Sequence, residues 1–216
     1  MQKRLISLIA LIVAAGPALA QTAPPAQPIH VRGTIVSSSP GSIVVSTGSE
    51  SETIAFGQPM RLVGVVNSSL DKVAPGAFIG TTVAPQADGS LRALEVHIFP
   101  PALKGTGEGY RPWDKQQKSM MANATVQNVE QPHSMMANAT VQRVGSGTAG
   151  RTVVLVYKGG TKTVTIPPTV PVVAFELGTK SLLTSGAHVF VTATRTASGL
   201  VARAINVGEH GVVPPM

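Results

Sequence analysis

The chain has 216 residues, a formal net charge of +7 and charged side chains at only 12% of positions. Its lack of cysteine rules out disulfides, thiol catalysis, thiolate metal sites and a lipid-modified cysteine anchor. Aromatic residues at 4% supply no stacking platform for nucleic acid, and no dense basic block marks a duplex-binding surface.

Residues 1–20, MQKRLISLIALIVAAGPALA, read as a Sec-type signal peptide. Lys3 and Arg4 form the basic start, Leu5 to Ala15 the apolar stretch, and Ala18-Leu19-Ala20 the small-x-small cleavage site. That apolar stretch is shorter than the roughly 20 residues a spanning helix needs. The expectation is a periplasmic or secreted protein with no membrane span, cleaved after Ala20. Residues 21–28, QTAPPAQP, form a proline-rich leader with nothing to bury.

From Ile29 the pattern turns to short strands. VRGTIVS, SIVVST, ETIAF, MRLVGVV, AFIGTTVA and LRALEVHIF alternate at strand period between turns rich in Gly, Pro, Ser and Asp. Ala77, Ile79 and Val83 mark the inner face of the late strand. Residues 29–99 are therefore expected to form a first small β-barrel domain. Residues 100–133 read as irregular linker. They contain GEGYRPWD, Gly107 to Asp114, and the nine residues SMMANATVQ at Ser119 to Gln127. The same nine letters recur at Ser134 to Gln142, a period of 15 residues that marks a recent coding slippage. Because the second copy runs into Arg143-Val144 and the next hairpin, it is expected to supply the opening strand of a second barrel. The first copy is then slack linker.

That second domain, residues 134–209, repeats the plan of the first. VVLVYK and TKTVTI flank a hairpin turn at Gly159-Gly160, and TVPVVAF, AHVFVTATR and LVARAINVG follow before a tail at 210–216. Val31 and Val141, Val44 and Val154, Ile54 and Val164, and Gly76 and Gly186 each lie 110 residues apart, so an old duplication is the economical reading. Ala187, Val189, Val191 and Ala193 form the matching inner face, which leaves His188 and Phe190 on the opposite, outward side.

The strand pattern resembles a family. Gly33-Thr34-Ile35, Leu70 to Ile79, Asp88-Gly89 and Leu91 to Val96 resemble the small secreted bacterial β-barrel domain of unknown function. Leu183, Gly186 to Val189, Gly199 and Ala202 to Val207 repeat the match, and Gly107 to Asp114 and the closing PPM fit it as well. The resemblance implies an all-β protein of two tandem small OB-like β-barrels joined by an irregular linker. It carries no catalytic residue.

Two constellations stand out. Tyr110, Arg111, Trp113 and Asp114 suit a plug between barrels, with Arg111 stacking or pairing with Asp114, or a recognition loop for a glycan or an envelope protein. Met120, Met121, His133, Met135 and Met136 offer soft donors for Cu(I). Their objection is internal, since both Met pairs descend from one duplicated segment and adjacent residues of a strand point apart. His30, His97 and His188 fall within strand patterns and form no nucleophile or metal motif. The expectation is a non-enzymatic binding or scaffolding protein without cofactor or nucleic-acid partner, and a copper-handling protein as the alternative.

Overall fold

The structure, a computed structural model, describes residues 27–130 and 150–216. The expected signal peptide, most of the leader and the second SMMANATVQ lie outside the described residues. Among the described residues twelve strands follow one another: β1 (Ile29–Ser38), β2 (Ser42–Ser46), β3 (Ser51–Asn67), β4 (Phe78–Pro85), β5 (Leu91–Ile98) and β6 (Gly109–Pro112) come first. Then come β7 (Met120–Glu130), β8 (Arg151–Tyr157), β9 (Gly160–Ile166), β10 (Val172–Leu177), β11 (His188–Thr196) and β12 (Gly199–Gly208). The chain is all-β, and the helical pieces among the described residues are three short 3-10 turns. No helix among the described residues is long and apolar enough to cross a membrane.

Strand pairing closes a five-stranded barrel in the order β1-β2-β3-β12-β11 and back to β1. All its neighbours are antiparallel except β3 and β12, which run parallel. A second ring runs β7-β8-β9-β5-β4, with β5 and β9 parallel through Leu91–Val164 and Arg92–Thr165. The pairing thus cuts across the boundaries expected at 29–99 and 134–209. Each ring takes three strands from one half of the chain and two from the other.

The cores follow the exchange. In the first ring Ile35, Ile43, Val45 and Ile54 pack with Val189, Val191, Leu200 and Ile205. In the second, Ile79, Val83 and Val96 pack with Ala124, Val126, Leu155 and Ile166. Apolar burial at ~25 cal/mol per Å² drives both, and alternation aims it. Val189, Val191 and Ala193 do face a core, as their spacing predicts. The physical reason for exchange lies between β3 and β4. The chain leaves Asn67 at the seam between rings and passes a short turn at Leu70–Lys72, so β4 pairs with β7 rather than β1.

β10 stitches the rings together. It lies antiparallel to the end of β3, with Val65 opposite Phe175, and parallel to β5, with Val173 opposite His97. ETIAF and MRLVGVV belong to one strand, β3, rather than two. Gly57 to Met60 bulge from its ladder with β12, where Ala202 faces Phe56 and Ala204 faces Arg61. The bulge lets one long strand serve both the first ring and the seam.

Two expectations are corrected here. Segment 100–133 is not wholly irregular linker, because it holds β6 and β7. The first SMMANATVQ is itself the strand paired with β4, β6 and β8 rather than slack chain. Its residues Ala122 and Ala124 are small enough to sit fully buried in the second ring, which is what that site needs. The predicted hairpin between β8 and β9 forms, one residue earlier than expected. Its two loop residues are Lys158 and Gly159, and Gly160 pairs with Tyr157 at φ +139.

Candidate functional site

Where the rings meet, a cavity of about 330 Å³ opens, at the lower end of the ~300–1,000 Å³ typical of ligand sites. Its walls come from both rings and from the seam. β5 contributes His97, β10 Phe175, β11 Phe190 and Thr192, and β12 Arg203, Ala204 and Asn206. β3 adds Arg61 and Val63, β7 adds Met121 and Asn123, and the segment after β5 adds Phe99 and Leu103.

The GEGYRPWD segment caps one side. β6 pairs with β7 from Gly109–Asn123 to Pro112–Met120, which carries the segment across the junction. Trp113 packs on His30 at 4.5 Å between ring centroids and on Phe190 at 6.0 Å. Arg111 lies over the Trp113 indole at 5.7 Å and donates to the Gly107 carbonyl at 2.8 Å. Stacking is therefore found at Arg111, while the expected pair with Asp114 is not. Asp114 instead accepts from Arg32 at 2.8 Å and bonds His30 Nδ1 at 2.9 Å. The reason is reach: the Asp114 carboxylate turns to β1 of the first ring, away from Arg111 on β6. Burial opposes ionisation of Asp114, but the bonds from Arg32 and His30 outweigh it and hold its carboxyl below the usual range.

Tyr110 points the other way. It stacks with Tyr157 at 6.4 Å and lies under Lys162 at 4.8 Å, on the second ring. Of the four residues singled out in this segment, Arg111 and Trp113 line the cavity, and Tyr110 and Asp114 fix the segment to the two rings.

The methionines separate as adjacent strand residues should. Met121 lines the cavity, and Met120 packs against the second core. His133, Met135 and Met136 lie outside the described residues. Among the described residues no three His, Asp or Glu side chains gather as a metal cage.

The tail closes the opposite wall. Met216 is buried, its main-chain O accepts from Arg32 Nε at 2.7 Å, and its Sδ receives Asn206 Nδ2 at 3.0 Å. Asn123 lies over Gly80, where an added Cβ would come within 2.6 Å of its Oδ1, so a larger residue there would push the Asn123 amide aside. Asn123 is buried, which removes its Asn-Ala-Thr sequence from consideration as a modification site.

Charge is distributed unevenly around this space. Among the described residues Arg61, Arg111 and Arg203 line the cavity, and no Asp or Glu does. Among the described residues none of these three has a carboxylate within ion-pair distance. Arg61 and Arg203 are exposed residues and Arg111 is half-buried; partial desolvation lowers the pKa of Arg61 and Arg111 below the ordinary arginine range. The Trp113 Nε1 donor is buried without a hydrogen-bond partner. Beside the cavity, the fully buried Glu95 meets Lys115 Nζ at 2.6 Å, Thr82 Oγ1 at 2.5 Å and His97 Nε2 at 3.4 Å.

Sequence reasoning missed Arg61, Arg203, His97 and Met216 as parts of one site. Phe190 belongs with them, because the outward face of β11 is covered and Phe190 is only 3% exposed. The available signal was β4, where FIGTTVA departs from clean alternation and Phe78 to Val83 are all buried. The chain matches no family model, no curated protein and no solved structure. The resemblance to a secreted β-barrel family therefore rests on the strand and turn motifs alone.

Proposed function

We propose that this is an exported, non-enzymatic envelope protein in which two OB-like barrels form one binding body around the cavity between them. The OB-like reading is supported by strand order. Counting three strands from one half and two from the other, both rings run 1-2-3-5-4 with strands 3 and 5 parallel. Duplication is supported by the reciprocal seam, in which Asn67 faces Val173 and Val63 faces Leu177 about the Val65–Phe175 pair. Val63 and Val173 are themselves 110 residues apart. Export rests on the sequence of residues 1–20.

The observation that carries a binding role is the cavity, walled by both rings and capped by Trp113 and Met216. A junction built only for rigidity would fill that space with side chains. Among the described residues no hydrogen-bonded nucleophile–base pair lines it, which favours binding over catalysis. A glycan or an envelope protein could present the group that enters. Native mass spectrometry after incubation with envelope extract should reveal a small-molecule adduct. Ala204→Phe, which fills the cavity, should abolish it; no adduct, or one indifferent to the filling, overturns the reading.

A copper-handling role is the second reading, because Met121 and Met216 line the same cavity as His30 and His97. It ranks second on electrostatic grounds: three guanidiniums with no Asp or Glu partner among the described residues disfavour a cation. Adding Cu(I) under reducing conditions should leave thermal stability unchanged. A specific site would add about 2.7 kcal/mol at a hundredfold excess over Kd, lost in Met121→Leu, and would put copper first.

A further inference from the structure

We propose that the ligand of this cavity is a small organic anion, a carboxylate or phosphate ester carried on a flat apolar group. The inference rests on reading the cavity as a binding site and adds the chemistry of its occupant. Three observations converge on it.

Arg61, Arg111 and Arg203 reach the cavity from three separate strands, β3, β6 and β12, without a carboxylate partner among the described residues. Nearby Arg32 shows the contrast, since it is paired with the Asp114 carboxylate, whereas Arg111 bonds only the Gly107 carbonyl. Guanidiniums offer planar, paired donors that match carboxylate and phosphate oxygens, and they cannot relieve their charge by losing a proton. Trp113 Nε1 adds a buried donor with no acceptor among the described residues, a group that usually has one. The remaining wall is aromatic. Phe175 sits between His97, stacked at 5.4 Å, and Phe99, edge-on at 4.8 Å, while Phe190 faces Trp113. That combination suits a flat body with an anionic head.

The test uses the whole mature chain and four probes: benzoate, phenyl phosphate, inorganic phosphate and benzyl alcohol. Trp113 is the only tryptophan, so its fluorescence reports on the cavity wall. Saturable quenching by benzoate or phenyl phosphate, with benzyl alcohol inert, is the expected result. Whichever of the two binds tighter identifies carboxylate or phosphate as the head group. Inorganic phosphate should bind at least tenfold more weakly than the better aryl anion.

Arg61→Gln and Arg203→Gln should each weaken binding roughly tenfold or more, as loss of a charge-assisted hydrogen bond does, without lowering the unliganded Tm. Arg195→Gln, outside the cavity, should change nothing and controls for net charge. Benzyl alcohol binding as well as benzoate overturns the proposal, as do arginine variants with unchanged affinity. Inorganic phosphate binding as tightly as the aryl anions overturns its aromatic half. If these probes fail while the native adduct persists, the anion assignment falls and the binding reading stands.

Discussion

Glu95 and Lys115 form an unequal pair. Glu95 is wholly buried, whereas the Lys115 side chain is 30% exposed and ties the segment after Trp113 to β5. Removing one partner of a buried pair is costly because the other is stranded without water. Lys115→Met should therefore destabilise the fold by about 3 kcal/mol. Glu95→Gln should cost less, since the freed ammonium can turn to solvent. Urea unfolding at neutral pH checks the order, and equal losses would contradict it. His97 stands on the same face of β5 and stacks on Phe175. Burial pushes its pKa below the ordinary value, with Lys115 adding to the shift and Glu95 opposing it. The unfolded chain takes up a proton near pH 6.5, while the folded chain resists until lower pH. Stability from this group is thus complete above about pH 6.5 and declines as pH falls toward the lowered folded value. Comparing urea midpoints at pH 7 and pH 5 should show the loss, and His97→Gln should reduce it. An identical decline in both proteins would assign the acid sensitivity elsewhere.

At the scale of the strand, alternation gave the inner faces correctly, and burial at Ile79, Val83, Val189 and Val191 agrees with it. Alternation speaks of one face at a time. It could not tell that the opposite faces of β5 and β11 are covered, so Phe190 read as an ordinary outward residue and His97 as a strand histidine without a motif. Nor could local pattern choose between two identical strand candidates, because SMMANATVQ has the same letters in both places. The structure uses the first, the copy expected to be slack, as β7, which changes the reason for expecting its deletion to be tolerated. Deleting residues 119–133 removes β7 and brings Ser134–Gln142 into its place, with the same residues offered to β4, β6 and β8. Asn128 and Glu130 become Arg143 and Gly145, and Val129 becomes Val144. The sequence distance from β7 to β8 shortens about fourfold, and loop-closure entropy changes by about 0.6 kcal/mol per halving of that distance. The deletion variant should match the full chain in stability or exceed it by about 1 kcal/mol. Loss of the cooperative unfolding transition would show that the two copies are not interchangeable.

The exchange of strands governs the whole molecule. Hairpins such as β4–β5 and β11–β12 were legible from local sequence, but their choice of ring depends on long-range pairing that no period or turn records. The consequence is testable by division. Residues 27–99 contain β1 to β5, yet in the protein β1 borders β11 and β5 borders β9. Neither 27–99 nor 100–216 should yield a folded monomer alone, while mixing the two should restore the β signal and a one-to-one complex. Size-exclusion chromatography with circular dichroism distinguishes the outcomes. Two independently folded halves would favour barrels closed within each half.

The same exchange bears on the order in which the chain is made. Synthesis runs from the N-terminus, and domains usually fold as they are completed. Among the described strands β1 emerges first, yet its neighbour β11 and the closing strand β12 are the last two. The second ring becomes complete at Ile166, before the first ring is, although it starts later. Through most of elongation the nascent chain must carry the open edges of β1 and β3, which invite pairing with other chains. A protein organised this way depends on being held apart from its own copies until the final strand, Gly199–Gly208, has been delivered.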